Sequence, residues 1–437
     1  MNRLVMLLVA VATLAGCKPP DAPSPDPTPK PNPPDTLTFV SQYENWPFGV
    51  NACLATRYQG SDTTLVGTAI AKMADAGIRW QRESFEWTVL EPQKGQFNWT
   101  PFDRAVNGEL KANINVLGLL CYGASWWGAA NNHKDMSSLT DTMLAEWSGY
   151  VKAVVGRYKN QIHYWEVWNE ENFSQFWYPA PNAADYVRLL RASYEAIMSV
   201  APESHILMGG IVGTDTSFVS QVYAAGGASY FDILALHLYP GVAPDIAVYG
   251  DTTYPSMLVG QIAGFHDLFP DKPLWVTEIG WTTGVSYVSE SQQADYLVRA
   301  YVQLLALPEV QKVFWYDFRD DGTGDPYEDN FGLVHRDQVL SSKEDYDACQ
   351  TLMGILGGAT FESNSFGNGI FEYRFSGNQK TIDVVWTTAN TPQTVTVGNI
   401  AGSSATLTTL TGSSQTVTVQ NGQCVVTASQ APVYLIH

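Results

Sequence analysis

The 437-residue chain reads as an α/β protein, a closed (β/α)8 or TIM barrel followed by a small antiparallel β-sandwich. Two observations carry this. Eight short apolar runs alternate with longer amphipathic segments across residues 45–357, and near residue 358 the composition changes to alternating Val and Thr broken by Gly, Asn and Ser. Parallel strands need a crossover at every return, and eight such units close on themselves.

The strand-like runs, in order, are "FGVNACL", "IRWQRES", "INVLGLLCYG", "IHYWEVWNE", "SHILMGGIVG", "FDILALHLYP", "KPLWVTEIGW" and "KVFWYDFRD". Each is rich in β-branched or aromatic residues and bounded by Gly, Asn or Pro, as strands buried on both faces should be. Helical segments lie between them. In "AADYVRLLRASYEAIMSV", Tyr186, Leu189, Leu190, Tyr194 and Ile197 recur at three- and four-residue steps and make one apolar stripe. "SKEDYDACQTLMGILGG" supplies the last helix, ending in Gly. A doubly wound open sheet would carry a Gly-rich phosphate turn after its first strand, and "GVNACLATRYQG" does not supply one. The segment 358–437 has turn residues every eight to ten positions and few helix formers, the pattern of a sandwich, and residues 36–42, "TLTFVSQ" with its flank, are expected to add a strand to it.

The N-terminus has a basic residue, a short apolar run and the tetrapeptide Leu14-Ala15-Gly16-Cys17. The run is too short for a permanent membrane span and has the layout of an export signal. Residues 1–16 are expected to be a lipoprotein signal peptide, with Cys17 lipidated. Residues 17–36 are Pro-rich and form an extended tether. The expected location is that of an exported bacterial lipoprotein, membrane-anchored at the outer membrane or cell surface, which Lys18 after Cys17 favours. Four other cysteines, Cys53, Cys121, Cys349 and Cys424, allow three pairings; Cys121 sits in an apolar run and reads as a buried thiol.

A net charge of −19 argues against nucleic acid as a partner. No CxxC or HExxH motif occurs, so neither a metal nor another cofactor is called for. The acidic run Asp317, Asp320, Asp321, Asp325, Glu328 and Asp329 departs from the EF-hand spacing and reads as a solvated loop rimming the barrel mouth. Aromatic residues are 12% of the chain, with 14 Trp and 22 Tyr, a supply of rings for the core and for stacking on hydroxyl-rich ligands.

Barrel chemistry sits at the C-terminal ends of strands. There the chain places Arg82 and Glu83, Asn169 and Glu170, His237 and Tyr239, Glu278, and Trp315 with Asp317 and Arg319. Two carboxylates from opposite sides of one mouth are what glycosidic cleavage needs: one protonates the leaving oxygen, and the other attacks the anomeric carbon or activates water. Glu166, within its strand, reads as a paired barrel residue, and Glu171 as a solvated or structural one.

"WEVWNE" followed by "WVTEIGW" resembles the acid/base and nucleophile strands of clan A glycoside hydrolases, and "RWQRESFEWTVLEPQKGQFNW" resembles their second-strand segment. "WYDFRDDG" with "EDNFGLV" is similar to the eighth-strand region of family 39-like members, including exopolysaccharide-directed endoglycosidases. The resemblance implies a retaining enzyme with Glu170 as acid/base and Glu278 as nucleophile. It further implies substrate contacts from Asn169, His237 and Trp315, while Arg82 and Tyr239 are expected to support Glu278. Trp126, Trp127 and Trp281 follow strands three and seven and are expected at outer subsites. The expected substrate is a β-linked polysaccharide or oligosaccharide, cleaved in endo fashion by a monomer. The alternatives are an exo-acting β-xylosidase-like enzyme and a non-catalytic surface glycan-binding lipoprotein.

Overall fold

The computed structural model describes residues 37–127, 133–246, 254–377 and 379–437; the signal, Cys17 and the Pro-rich tether lie outside them. Eight parallel strands close into a barrel: β1 (Phe48–Asn51), β2 (Trp80–Glu86), β3 (Asn115–Cys121), β4 (Tyr164–Asn169), β5 (His205–Val212), β6 (Leu234–Leu238), β7 (Leu274–Ile279) and β8 (Val310–Trp315). β8 returns to β1, with Phe48 opposite Val313 and Val50 opposite Trp315. The helices between the strands end on local signals. Glu290–Leu305 starts on a capping box, in which Ser289 accepts from the Gln292 amide and Gln292 answers to the Ser289 amide.

Side chains alternate in and out along a strand, so the barrel fills in layers. The lowest layer is aromatic: Trp80, Tyr164, Trp275 and Phe314 with Leu117, Leu207 and Ala235. Trp80 meets Trp275 edge-on at 5.5 Å, and Tyr164 stacks on Trp275 at 5.1 Å. Two residues further along the same strands come Arg82, Glu166, Thr277 and His237, all buried. A polar layer therefore rests on a dry aromatic floor, with the barrel mouth above it.

Residues 37–47 correct one expectation. They add no strand to the C-terminal sheets; instead they close the barrel's N-terminal end, with a single 3-10 turn at Ser41–Tyr43. The Val40 amide donates to Asn115 Oδ1 (2.9 Å), the Asn115 amide answers to the Val40 carbonyl (3.1 Å), and Phe39 stacks on His163 at 4.5 Å. The alternation in "TLTFVS" looks like a strand, but its backbone and ring find partners on the barrel floor first.

After the helix Glu344–Leu356 the chain forms β9 (Thr360–Gly367), β10 (Ile370–Gly377), β11 (Lys380–Thr387), β12 (Gln393–Val397), β13 (Ser404–Thr408), β14 (Ser414–Thr418), β15 (Cys424–Ala428) and β16 (Val433–Ile436). Six of these make one antiparallel sheet in the order β14-β13-β16-β11-β10-β9, and β12 with β15 make a two-stranded ribbon. Asn368 and Gly369 both have positive φ, +52° and +75°, which is why an Asn-Gly pair joins β9 to β10. Val385 and Leu435 of the sheet share a small core with Val395, Val397 and Val426 around the ribbon. On the sheet, Trp386 stacks with Phe371 and Tyr373 and donates from Nε1 to Asp245 Oδ2 (2.7 Å), which also accepts from Arg299. The four described cysteines are free, buried thiols.

Among the described residues, the buried carboxyls of Glu83 and Glu109 make no ion pair. Glu83 accepts from the Leu54 and Ala55 amides (2.8 and 3.1 Å), and burial pushes its pKa up to about 8. The Glu109 carboxyl has no hydrogen-bond partner among the described residues, and burial followed by the charge of Glu83 pushes it well above the usual carboxylate range. The folded state thus holds protons that the unfolded chain releases, and stability falls as pH rises from the ordinary carboxylate range through about 8. Urea midpoints are expected to decline from pH 5 to pH 8.5, and Glu109→Gln is expected to flatten that decline; an unchanged slope would count against this account.

Candidate active site

The mouth is organised by Arg82, whose guanidinium is almost wholly buried. Nε donates to Glu166 Oε2 (2.6 Å), Nη1 to Glu278 Oε1 (2.6 Å) and Asn51 Oδ1 (3.3 Å), and Nη2 to Asn169 Oδ1 (3.0 Å). Burial opposes its charge, but Glu166 and Glu278 more than offset that, so its pKa stands above the ordinary value. Glu166 is fixed in turn by the Gly210 amide (2.8 Å) and the Thr277 hydroxyl (3.2 Å). The sequence reading of Glu166 as a paired barrel residue therefore matches its place.

Two irregularities aim the carboxylates. On β7, Val276 pairs with Val313 but Ile279 pairs with Trp315, so β7 carries one extra residue there, and Glu278 comes level with His237 of β6. Such bulges re-aim side chains. Asn51 pins this one, donating to the carbonyls of Thr277 (2.9 Å) and Trp315 (3.3 Å). On β4, Trp168 has φ +72° and Glu170 φ +53°, a conformation that bulky residues rarely adopt and that costs on the order of 1–3 kcal/mol each. The Trp168 ring turns away to Trp147 and Trp177, with Nε1 donating to the Phe176 carbonyl (3.0 Å), while Asn169 meets Arg82.

Glu170 Oε1 lies 2.9 Å from His237 Nδ1, and the same nitrogen is 3.5 Å from Glu278 Oε2. Tyr239 donates its hydroxyl to Glu278 Oε2. Burial pushes the Glu278 carboxyl up, yet the His237 and Arg82 charges and the Tyr239 hydrogen bond prevail and hold it below the usual range. Burial, then Glu278, keep the Tyr239 phenol far above its ordinary pKa, so it remains a donor. Oxygens of Glu170 and Glu278 and a nitrogen of His237 all fall within 4.8 Å of one another. A cation could bridge such a cluster, but Arg82 already lies against Glu278, and like charge disfavours a metal ion there.

A cavity of about 620 Å³ opens above these groups, lined from all eight strand ends. Tyr122, Phe173 and Phe176 form one cluster of rings in its lining, and Tyr239, Tyr316, Tyr327 and Phe331 form another. Arg82, Asn169, Glu170, Tyr239 and Glu278 line the cavity as expected from the sequence; His237 is buried just behind the two carboxylates.

The tryptophans do not follow expectation. Trp315 is buried outside the cavity and stacks on Trp281 at 5.9 Å, and Tyr316 lines the cavity instead, since strand neighbours face opposite ways. Trp281 donates to the Val242 carbonyl (2.8 Å), Trp127 to that of Met143 (3.1 Å), and Trp126 to that of Glu91 (2.9 Å) while meeting Trp87 edge-on. All three are tied into packing. Glu171 is fully buried beside Gly209 and is not solvated. The sequence reading did not single out Asn51, Arg57, Tyr122 or the pair Gly209-Gly210. Two glycines inside a strand were the available signal: a Cβ on Gly209 would collide with Glu171 Oε2, and one on Gly210 with His237 Nε2.

Residues 88–342, more than half of the chain, match the family model described as the glycosyl hydrolase catalytic core. The chain belongs to that family. It is 28% identical to a β-xylosidase of Geobacillus stearothermophilus over 42% of this chain and 40% of that one. It is 27% identical to endo-1,4-β-xylanase 1 of Gibberella zeae over 27% of this chain and 31% of that one. It thus spans less than half the length of either relative. Among solved structures, a family 39 glycoside hydrolase from Bacteroides cellulosilyticus WH2 shares the fold with a TM-score of 0.74, at 24% identity over 90% of this chain and 81% of the other. A monomeric β-xylosidase from Caulobacter crescentus CB15 superimposes with a TM-score of 0.65, at 14% identity over 90% and 95%.

Removing Arg82 leaves Glu166 and Glu278 buried without a counter-charge. Arg82→Met is expected to lower the unfolding free energy by about 3–5 kcal/mol, read by urea denaturation; a change within error would contradict the role given to the guanidinium. Gly210→Ala should keep the fold by circular dichroism but displace His237, with a loss of turnover on whatever substrate the wild type cleaves.

Proposed function

We propose that the protein is a retaining glycoside hydrolase that cleaves β-linked polysaccharide or oligosaccharide chains, with Glu278 as nucleophile and Glu170 as acid/base. The observation that carries this is the spacing of the two carboxylates: oxygens within 4.8 Å fit direct attack by one of them, whereas inversion needs a gap of roughly 6.5–9.5 Å to seat a water. In the first step a Glu278 oxygen bonds to the anomeric carbon as the glycosidic C–O bond breaks, and the Glu170 proton goes to the departing oxygen. In the second, Glu170 takes a proton from water, whose oxygen replaces Glu278 at the anomeric carbon. Arg82 and Tyr239 keep Glu278 ionised and aimed.

The relatives named for xylan and xyloside cleavage support a xylose-type sugar as the first to try. Two clusters of rings in the cavity lining favour binding on both sides of the cut bond, and thus endo action. Lining from every strand end favours a closed pocket and exo action as the second reading. Digestion of β-linked glycans distinguishes these, because release of monosaccharide alone would sink the endo reading. Export as a lipoprotein anchored through Cys17 fits a polymer-degrading role; Cys17→Ala is expected to release the protein from the membrane fraction.

Glu170→Gln is expected to lower kcat by about 100- to 10,000-fold, and Glu278→Gln by at least as much. The first sugar released by the wild type should be the β-anomer by proton NMR. Appearance of the α-anomer first would refute retention, full turnover in both variants would refute the roles given to the two carboxylates, and glycan binding without turnover in the wild type would leave a glycan binder.

A further inference from the structure

We propose that Glu328 is a specificity-determining residue that makes the site prefer sugars carrying a positive charge or none over uronic acids. This rests on the glycoside hydrolase reading of the same cavity and adds the charge class of its substrate.

Among the described residues two cationic side chains line the cavity, Arg57 and Arg82, and both are engaged. Arg82 is held by Glu166 and Glu278. Arg57 pairs with Asp317 and, at 3.1 Å, with Asp321, and donates to the Tyr316 hydroxyl (2.8 Å). A carboxylate entering with the substrate would have to break one of these pairs. Against them stand five lining carboxyls, Glu86, Glu170, Glu278, Asp325 and Glu328. Arg57, then Lys134 and His133, offset Glu86, and Asp325 spends one oxygen on the Tyr327 and Glu328 amides.

The other acidic residues of this loop have partners too. Lys343 donates to Asp320 (3.0 Å), and Asp329 accepts from the Asp325 amide (2.8 Å). Glu328 differs. Among the described residues no cation or donor pairs with its carboxylate, and it lines the cavity that holds the two catalytic candidates. Burial, then Asp325, Glu170, Glu278 and Asp321 push its carboxyl above the usual range; each charged neighbour is negative. A sugar hydroxyl or ammonium answers that acceptor, whereas a uronate adds a further like charge. The residue sits in an exposed loop after β8, so changing it leaves the core untouched.

The test uses three phenyl β-glycosides of one ring skeleton: the glucoside, the glucuronide, whose C6 is a carboxylate, and the glucosaminide, whose C2 bears an ammonium. Binding to Glu170→Gln, whose slowed turnover leaves the ligands largely intact over the titration, is followed by NMR at neutral pH and low salt. The glucuronide should bind about tenfold or more weakly than the glucoside, and the glucosaminide at least as well as the glucoside. Adding Glu328→Gln should close most of the glucuronide gap, Glu328→Asp should restore it, and 0.5 M salt should narrow it, on the order of a Debye length of a few Å. Equal or tighter binding of the glucuronide, a gap that Glu328→Gln leaves unchanged, or no binding of any of the three overturns the proposal. Hydrolysis and anomer stereochemistry are read separately on the wild type, so either reading can fail while the other stands.

Discussion

The buried guanidinium of Arg82 is the constraint on which the rest of the mouth depends. Its fork reaches four acceptors on β1, β4 and β7, so the ends of three strands are set by one planar group. A charge so deeply placed is tolerable only when paired, and Glu166 and Glu278 supply the counter-charge. The same contact that makes burial tolerable also leaves Glu278 ionised. Stability and the chemistry proposed for Glu278 therefore rest on one interaction, and Glu166, which does not line the cavity, bears on that chemistry only by holding Arg82.

The layers beneath explain why this hub can sit where it does. The Trp80, Tyr164 and Trp275 floor keeps water from below, which strengthens the ion pairs above it. Several of the barrel's departures from regular alternation lie next to the carboxylates: the extra residue on β7 before Ile279, the positive φ of Trp168 and Glu170, and the two glycines of β5 that make room for Glu171 and His237. Local strain gathers where function needs a side chain re-aimed, and the surrounding packing of Trp168 on Trp147 and Trp177 holds it.

The barrel and the C-terminal sheets were legible from alternation and turn residues, because both follow from periodicity alone. Arg82, Asn169, Tyr239, Glu278 and Glu170 were legible because strand ends converge on one mouth whatever the loops do. The tryptophans were not. A large ring serves equally for packing and for stacking on sugar, and one step along a strand decides which, as Trp315 and Tyr316 demonstrate. The stretch 37–47 misled for a related reason: its alternation is real, but its partners lie far away in sequence, on Asn115 and His163. The acidic loop after β8 was legible as rimming the mouth, where Tyr327, Glu328 and Phe331 do line the cavity, but Asp317 and Asp320 are not solvated: both are buried against Arg57 and Lys343, partners far away in sequence.

The central claim is that Glu278, held by Arg82 opposite Glu170, forms a covalent bond to the sugar. Incubation with an activated 2-deoxy-2-fluoro β-xyloside, followed by proteolysis and mass spectrometry, tests it directly. Stoichiometric labelling is expected on the peptide containing Glu278, with the modification on that residue. Labelling of Glu170 or another carboxylate, by a reagent that inactivates the enzyme, would contradict it.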